Sequence, residues 1–273
     1  MRYLPDFALQ ALHRLDRRYL RRRLYLAYHA NPSGYRRIQQ MTQNPIVIGG
    51  CGRSGTTLLL SVLSCHPHIL ALPDETQALC PTAYSREPNP AADFRLEFVI
   101  DALLAEGLPE SATRWCEKTP RNVHYIGRIL DYLGRGVRFI NLVRDGRDVI
   151  TSVHPDKRNE YWVSPDRWLE DVAAALPYED HPQVLTVRYE NLTGDYERCV
   201  RRICSFVGEV FHDNFHGYPK TATVRSSNAW FSPAQAIHRR SIRRWEDDTH
   251  KSRIGTFLST PKAVELLRHY GYM

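Results

Sequence analysis

The chain has 273 residues, 42% hydrophobic and 25% charged, with a formal net charge of +7; no apolar run approaches the ~20 residues needed to span a bilayer, and the composition is that of a globular domain. The charge is uneven, with nine Arg against Asp6 and Asp16 in residues 1–40, and 28 basic against 28 acidic residues in 41–273. The basic balance therefore belongs to an appendage, which argues against a nucleic-acid-binding core.

From Asp6 to Tyr28, Ala8, Leu12, Leu15, Tyr19 and Leu26 recur at helical spacing, while Arg14, Arg17, Arg18, Arg21 and Arg22 fill the other faces. Residues 1–40 thus read as a basic amphipathic segment, either docked with a solvated Arg face or in peripheral contact with a membrane or an acidic partner. Residues 41–273 read as one domain. Arg14 to Arg23 interrupt any apolar stretch of a signal peptide, so a start near Met1 is expected.

Asn31-Pro32-Ser33-Gly34 is expected to break the helix, Pro45 to Gly49 to form a short buried strand, and Thr56 to Cys65 a helix closed by His66-Pro67. Asn122 to Leu133 reads as one helix ended by Gly134-Arg135-Gly136, and Val137 to Val143 as an apolar strand stopping at Arg144. Val184 to Tyr189 reads as a third strand and Asp195 to Val207 as a further helix. Strands alternating with helices predict an α/β fold, a parallel sheet flanked by helices on both faces. Segments 74–115, 154–182 and 208–240, rich in Pro, His and aromatics without clean periodicity, are assigned to a rim shaping a substrate site. The six Cys (51, 65, 80, 116, 199, 204) hold no Cys-x-x-Cys pair and no zinc spacing, so they read as reduced, buried thiols in a cytoplasmic protein.

The loop Gly50-Cys51-Gly52-Arg53-Ser54-Gly55-Thr56-Thr57 lies between the first strand and its helix, where backbone N–H groups bind phosphate. Thr56 stands where a nucleotide-triphosphate P-loop has Lys, and Arg53 stands inside the loop. Arg53, the turn at Gly55 and the hydroxyls of Ser54, Thr56 and Thr57 suit a ligand with one 5'-phosphate and a sulfuryl group, with no metal. The bland alternative is a glycine-rich turn without a ligand.

At these residues the sequence resembles the sulfotransferase family, over roughly positions 44–250. The family's 3'-phosphate motif looks like Arg144-Asp145-Gly146-Arg147-Asp148-Val149-Ile150-Thr151-Ser152. The resemblance implies the sulfotransferase fold, the donor 3'-phosphoadenosine 5'-phosphosulfate, and as 3'-phosphate ligands Arg144, from the strand end, and Ser152, expected in the first turns of the next helix. Asp74-Glu75-Thr76 and Cys116-Glu117-Lys118-Thr119-Pro120 look like the tyrosylprotein and glycan branches. There the resemblance implies that Glu75 is the base for the acceptor hydroxyl and that Lys118 stabilises charge on the bridging oxygen. The bland readings are a helix cap for Asp74 or Glu75, a solvated Lys118, and a helix-end role for His66.

Arg188-Tyr189-Glu190-Asn191-Leu192 resembles a strand-end motif whose Tyr lies near the donor. Arg225-Ser226-Ser227 and Arg240 to Trp245 resemble the C-terminal donor-binding stretch; Ser227 (catalytic) and Arg244 are the chosen members, with Ser226, Arg240 and Arg243 as near alternatives. In-line sulfuryl transfer asks mainly for positioning, one base and cations. The expected activity is transfer to an acceptor hydroxyl, leaving adenosine 3',5'-bisphosphate. A peptide tyrosine would suit an Arg-rich mouth, a glycan the aromatics Trp115, Tyr161, Trp162, Trp168 and Trp230, and a small metabolite is a third acceptor class. A P-loop kinase, which would need the missing Lys and Mg-binding acids, and a non-catalytic nucleotide-binding module are the alternatives. Cys116 lacks the disulfide partner that the secreted-pathway members carry before Asp74-Glu75, which favours a cytoplasmic, bacterial-type enzyme. Homodimerisation is left open.

Overall fold

The computed structural model describes residues 32–81, 88, 89, 92–154, 157, 160–227 and 233–273. The helix expected at 6–28 and Trp230 lie outside the described residues. Five strands, β1 (Ile46–Gly50), β2 (Ile69–Ala71), β3 (Arg114–Lys118), β4 (Arg138–Val143) and β5 (Val184–Arg188), form one sheet in the order β2-β3-β1-β4-β5. Every pairing is parallel.

Strand β1 is buried along its whole length because helices cover both faces, and its alternating side chains feed two separate cores. Ile46 and Ile48 pack with α2 (Thr56–Leu63), α7 (Tyr189–Gly194) and α8 (Tyr196–Val207) through Leu59, Leu60, Leu192, Val200 and Ile203. Val47 packs on the opposite face with Val99 and Leu103 of α3 (Leu96–Ala105) and Ile126 and Ile129 of α4 (Ile126–Leu133). Beyond the end of β4 a third core joins Val143 to α5 (Gly146–Ile150), α6 (Pro165–Ala173), α9 (Lys251–Leu258) and α10 (Pro261–His269).

The chain builds β2 and β3 to one side of β1, then β4 and β5 to the other. In such sheets ligands occupy the crevice outside the carboxyl ends of the strands where the order reverses. The register aligns Lys118 with Ile48, Gly50 with Leu142, and Val143 with Arg188. The loop after Gly50, Lys118, Arg144 and Tyr189 therefore emerge at one edge of the sheet.

Four expectations need correction. Pro32-Ser33-Gly34, read as a break, lies in the first turn of a helix, α1 (Pro32–Met41), because proline is tolerated in a first turn that has no N–H partner anyway. Asn122 to Leu133 is not one helix: a 3-10 turn at Pro120–Tyr125 precedes α4. Ser152 is not in the first turns of a helix but two residues past the end of the five-residue α5. The segments assigned to the rim are not loop throughout: they hold α3 and α6, and Val99, Trp115, Trp168, Val172 and Phe215 within them are buried, Trp115 and Trp168 fully.

Candidate active site

Two glycines shape the loop after β1. Gly50 has φ +141°, and a Cβ there would stand 2.3 Å from the Leu142 carbonyl oxygen. Gly55, at the head of α2, has φ +94°, and a Cβ would stand 2.5 Å from the Tyr189 ring. Both positions combine a left-handed backbone with a close neighbour, so only glycine fits. Arg53 also lies at φ +67°, a strain of about 1–3 kcal/mol for a non-glycine residue. Its carbonyl accepts a 2.9 Å hydrogen bond from Arg144 Nη1, which holds the loop in that form.

Arg144 leaves the end of β4 and is almost wholly buried. Its guanidinium lies 4.6 Å from the Tyr189 ring centre, donates to the Ser241 carbonyl and stands 3.8 Å from Asp148. Asp148 in turn accepts from the backbone N–H groups of Arg243 (2.9 Å) and Trp245 (3.2 Å), tying the 241–245 strap to α5. Arg53 is held below the usual guanidinium range, first by crowding from surrounding protein and then by the nearby cations Arg144 and Arg244. Three guanidiniums thus converge with Asp148 and Glu190 as neighbouring carboxylates, which favours an anionic ligand between them.

Across the cavity, Lys118 is fully buried and its Nζ donates to Glu75 Oε1 at 2.6 Å. The adjacent Glu117 points to the other face of β3, as strand alternation requires, toward the core that contains Trp115. Burial pushes its carboxyl up, opposed by hydrogen bonds from Thr119, Asn122 and Thr76. A cavity of about 620 Å³ connects the two halves, within the range of small-molecule sites. Arg53, Gly55, Thr56, Thr57, Glu75, Arg144 and Tyr189 all line it.

The other expected residues do not line that wall. Ser54 is fully buried beneath the loop, and its Oγ has no hydrogen-bond partner among the described residues. Ser152 Oγ donates to the Asp148 carbonyl at 2.9 Å. Ser227 is half-buried, while Ser226, Arg240, Arg243 and Arg244 are exposed. His66 lies at the opposite edge of the sheet, where its Nε2 is 3.1 Å from the Val210 carbonyl. Its neighbours there are His68 and Glu209, and the second Glu209 oxygen pairs with Arg114 at 2.9 Å.

Several lining residues were not named individually from the sequence: Gln77, Arg167, Pro233 and Gln235 to His238. They come from loops and, for Arg167, from α6, and their approach to the site depends on tertiary packing. Glu117 also went unread, because the demand that two consecutive charges in a buried strand be partnered appears only once β3 is seen.

The family model described as "Sulfotransferase family" matches residues 45–213. The chain resembles the sulfotransferase domain of the Synechococcus PCC 7002 olefin synthase at 18% identity, covering 84% of this chain and 94% of that one, with a TM-score of 0.60. The sulfotransferase domain from the curacin biosynthetic pathway matches at 19% identity over 79% and 97% of the two chains, with a TM-score of 0.51. Mouse sulfotransferase SULT7A1, solved with PAP, matches at 15% identity over 83% and 85%, with a TM-score of 0.50. No match is found among curated proteins.

Proposed function

Because the chain belongs to the sulfotransferase family, we propose that it uses 3'-phosphoadenosine 5'-phosphosulfate as donor and sulfates a hydroxyl that Glu75 deprotonates. The observation that carries the reading is one cavity lined by Arg53 and Arg144 on one side and by Glu75, bonded to Lys118, on the other. The residues present fit that donor: Arg53 lies beside the guanidiniums of Arg144 and Arg244, and the glycine cradle closes if a Cβ is added. When bound, the donor supplies a sulfuryl group on a phosphate leaving group.

Arg53, Thr56, Thr57 and the backbone at Gly55 would hold its 5' end, with the dipole of α2 favouring negative charge there. Arg144 and Arg244 would hold the 3'-phosphate, with Tyr189 supporting Arg144 from below. Ser152 joins them only by releasing the Asp148 carbonyl, and Ser227 only if its segment closes over the cavity. Glu75 takes the proton of the acceptor hydroxyl, and the Lys118 ammonium faces the negative charge that develops beside it.

For the acceptor, the geometry supports a peptide tyrosine with acidic flanks over a glycan. Trp115 and Trp168 are buried, and Trp162 is stacked on His154 at 4.2 Å with Arg53 at 5.3 Å. Tyr161 carries Arg253 over its ring at 4.2 Å. These rings are thus partly covered, whereas Arg167 lines the cavity as a cation outside the residues assigned to the donor.

The test is transfer of labelled sulfate to acidic tyrosine peptides, glycans and phenols by the wild type and Glu75→Gln. Label should enter the peptides, and the variant should lose roughly 10²–10⁴-fold in kcat while keeping its bisphosphate affinity. Wild-type turnover by the variant would remove Glu75 as base, and exclusive labelling of glycans would overturn the acceptor reading.

A further inference from the structure

Glu117 is a fully buried carboxylate with no place in the chemistry above, and every bond it makes leads to the machinery around it. Thr76 Oγ1, next to Glu75, donates to Glu117 Oε1 at 3.1 Å. Thr119 Oγ1 donates to the same oxygen, and Asn122 Nδ2 donates to Oε2 at 2.8 Å. Asn122 Nδ2 also reaches the carbonyl of Ile48, two residues before the glycine-rich loop begins.

The direction of each bond is fixed. Thr119 Oγ1 accepts from the Gln77 N–H at 3.3 Å, and Thr76 Oγ1 accepts from the Ala78 N–H at 3.2 Å. Both hydroxyls must therefore give their single proton to Glu117, forming two chains that run from backbone amide to hydroxyl to carboxylate. The segment so held is strained: Gln77 has φ +51°, a left-handed value that a non-glycine residue keeps only when its surroundings impose it.

We infer that Glu117 is the positioning residue of the base: it anchors the 76–78 turn to β3 and, through Asn122, to the strand that carries the donor loop, so that Glu75 is held against Lys118 over the cavity. This rests on the reading of Glu75 as base. Glutamine replaces it imperfectly: with its amide nitrogen toward Asn122 two donors meet, and with it toward Thr76 and Thr119 each hydroxyl must accept a second hydrogen bond and turn its own proton away. The donor cradle stays outside the anchor, since Arg53 and Arg144 are braced by each other and by the 241–245 strap.

The experiment compares Glu117→Gln, Thr76→Val, Thr76→Ser and Glu75→Gln for kcat, acceptor KM, melting temperature and bisphosphate affinity by calorimetry. Glu117→Gln should lower kcat by roughly tenfold or more, as a displaced catalytic group does, with bisphosphate Kd within about twofold of wild type. Thr76→Val should fall in the same direction and Thr76→Ser should restore turnover, which a merely structural role would not reproduce. If Glu117→Gln does not fold, the Thr76 pair decides.

Parallel loss of kcat and bisphosphate affinity would show a fold-wide role and overturn the inference. Wild-type kcat in Glu117→Gln, or in Thr76→Val, would do so too; with Glu75→Gln inactive, the base reading would survive. An active Glu75→Gln would remove the base reading and the inference together.

Discussion

Arg144 shows how much one side chain can organise. Its guanidinium fixes the Arg53 carbonyl and the Ser241 carbonyl while its face lies on Tyr189. Removing it takes away a charged hydrogen-bond donor, worth about 1.5–3 kcal/mol, and so Arg144→Ala should weaken bisphosphate binding by roughly ten- to hundred-fold in calorimetry. Arg144→Lys should recover little of this, because an ammonium cannot fork between the two carbonyls. The position was legible in the sequence because a lone Arg ended an apolar run before a turn. Glu117 was not, because its neighbours Thr76 and Asn122 meet it only across separate segments.

Among the elements, the strap at 241–245 depends on a short-range anchor. Asp148 accepts two of its backbone N–H groups, and Arg243 sits there at φ +64°. Asp148→Asn should free one of these bonds, worth about 1 kcal/mol, and raise bisphosphate Kd about fivefold, leaving kcat at saturation near wild type. A fall in kcat with unchanged Kd would place the strap on the acceptor side instead. Strands β1, β4 and β5 could be read from their apolar runs, and α2 and α8 from their periodicity. Strand β3 could not, since Arg-Trp-Cys-Glu-Lys has no such run; its two buried charges are tolerated only because partners arrive from elsewhere. Helices α3 and α6 lie within segments that read as rim, and the sheet order itself leaves no trace in a single sequence.

At the scale of the molecule, the third core supports the site from below. Trp168 is fully buried, its Nε1–H is 3.3 Å from the Arg144 carbonyl, and its ring packs so closely on Gly146 that a Cβ there would stand 2.6 Å away. Trp168→Ala should cost about 3–5 kcal/mol of stability in a denaturant titration, and a loss under 1 kcal/mol would contradict this packing.

The six cysteines are buried, with Cys51 and Cys116 pushed well up and Cys199 up to about 11, chiefly by burial. A thiol reagent should therefore label the native protein slowly and the denatured protein fully.

Burial also raises Glu190, whose carboxylate accepts from the Asp145 N–H and the Tyr272 hydroxyl. A raised carboxyl binds its proton more readily in the folded state, so its effect on stability is least favourable at neutral pH. It improves as pH falls through the raised value toward the ordinary carboxylate range. The melting temperature of the wild type should accordingly rise relative to Glu190→Gln between pH 7 and pH 5, and a shift the other way would reverse the assignment.

The central claim is that the cavity takes a 3'-phosphorylated adenine nucleotide, and calorimetry tests it most directly by comparing adenosine 3',5'-bisphosphate with ATP plus Mg. The account predicts saturable one-to-one binding of the bisphosphate that Arg144→Ala weakens, and far weaker binding of ATP with Mg. Tight binding of ATP with Mg and none of the bisphosphate would contradict it.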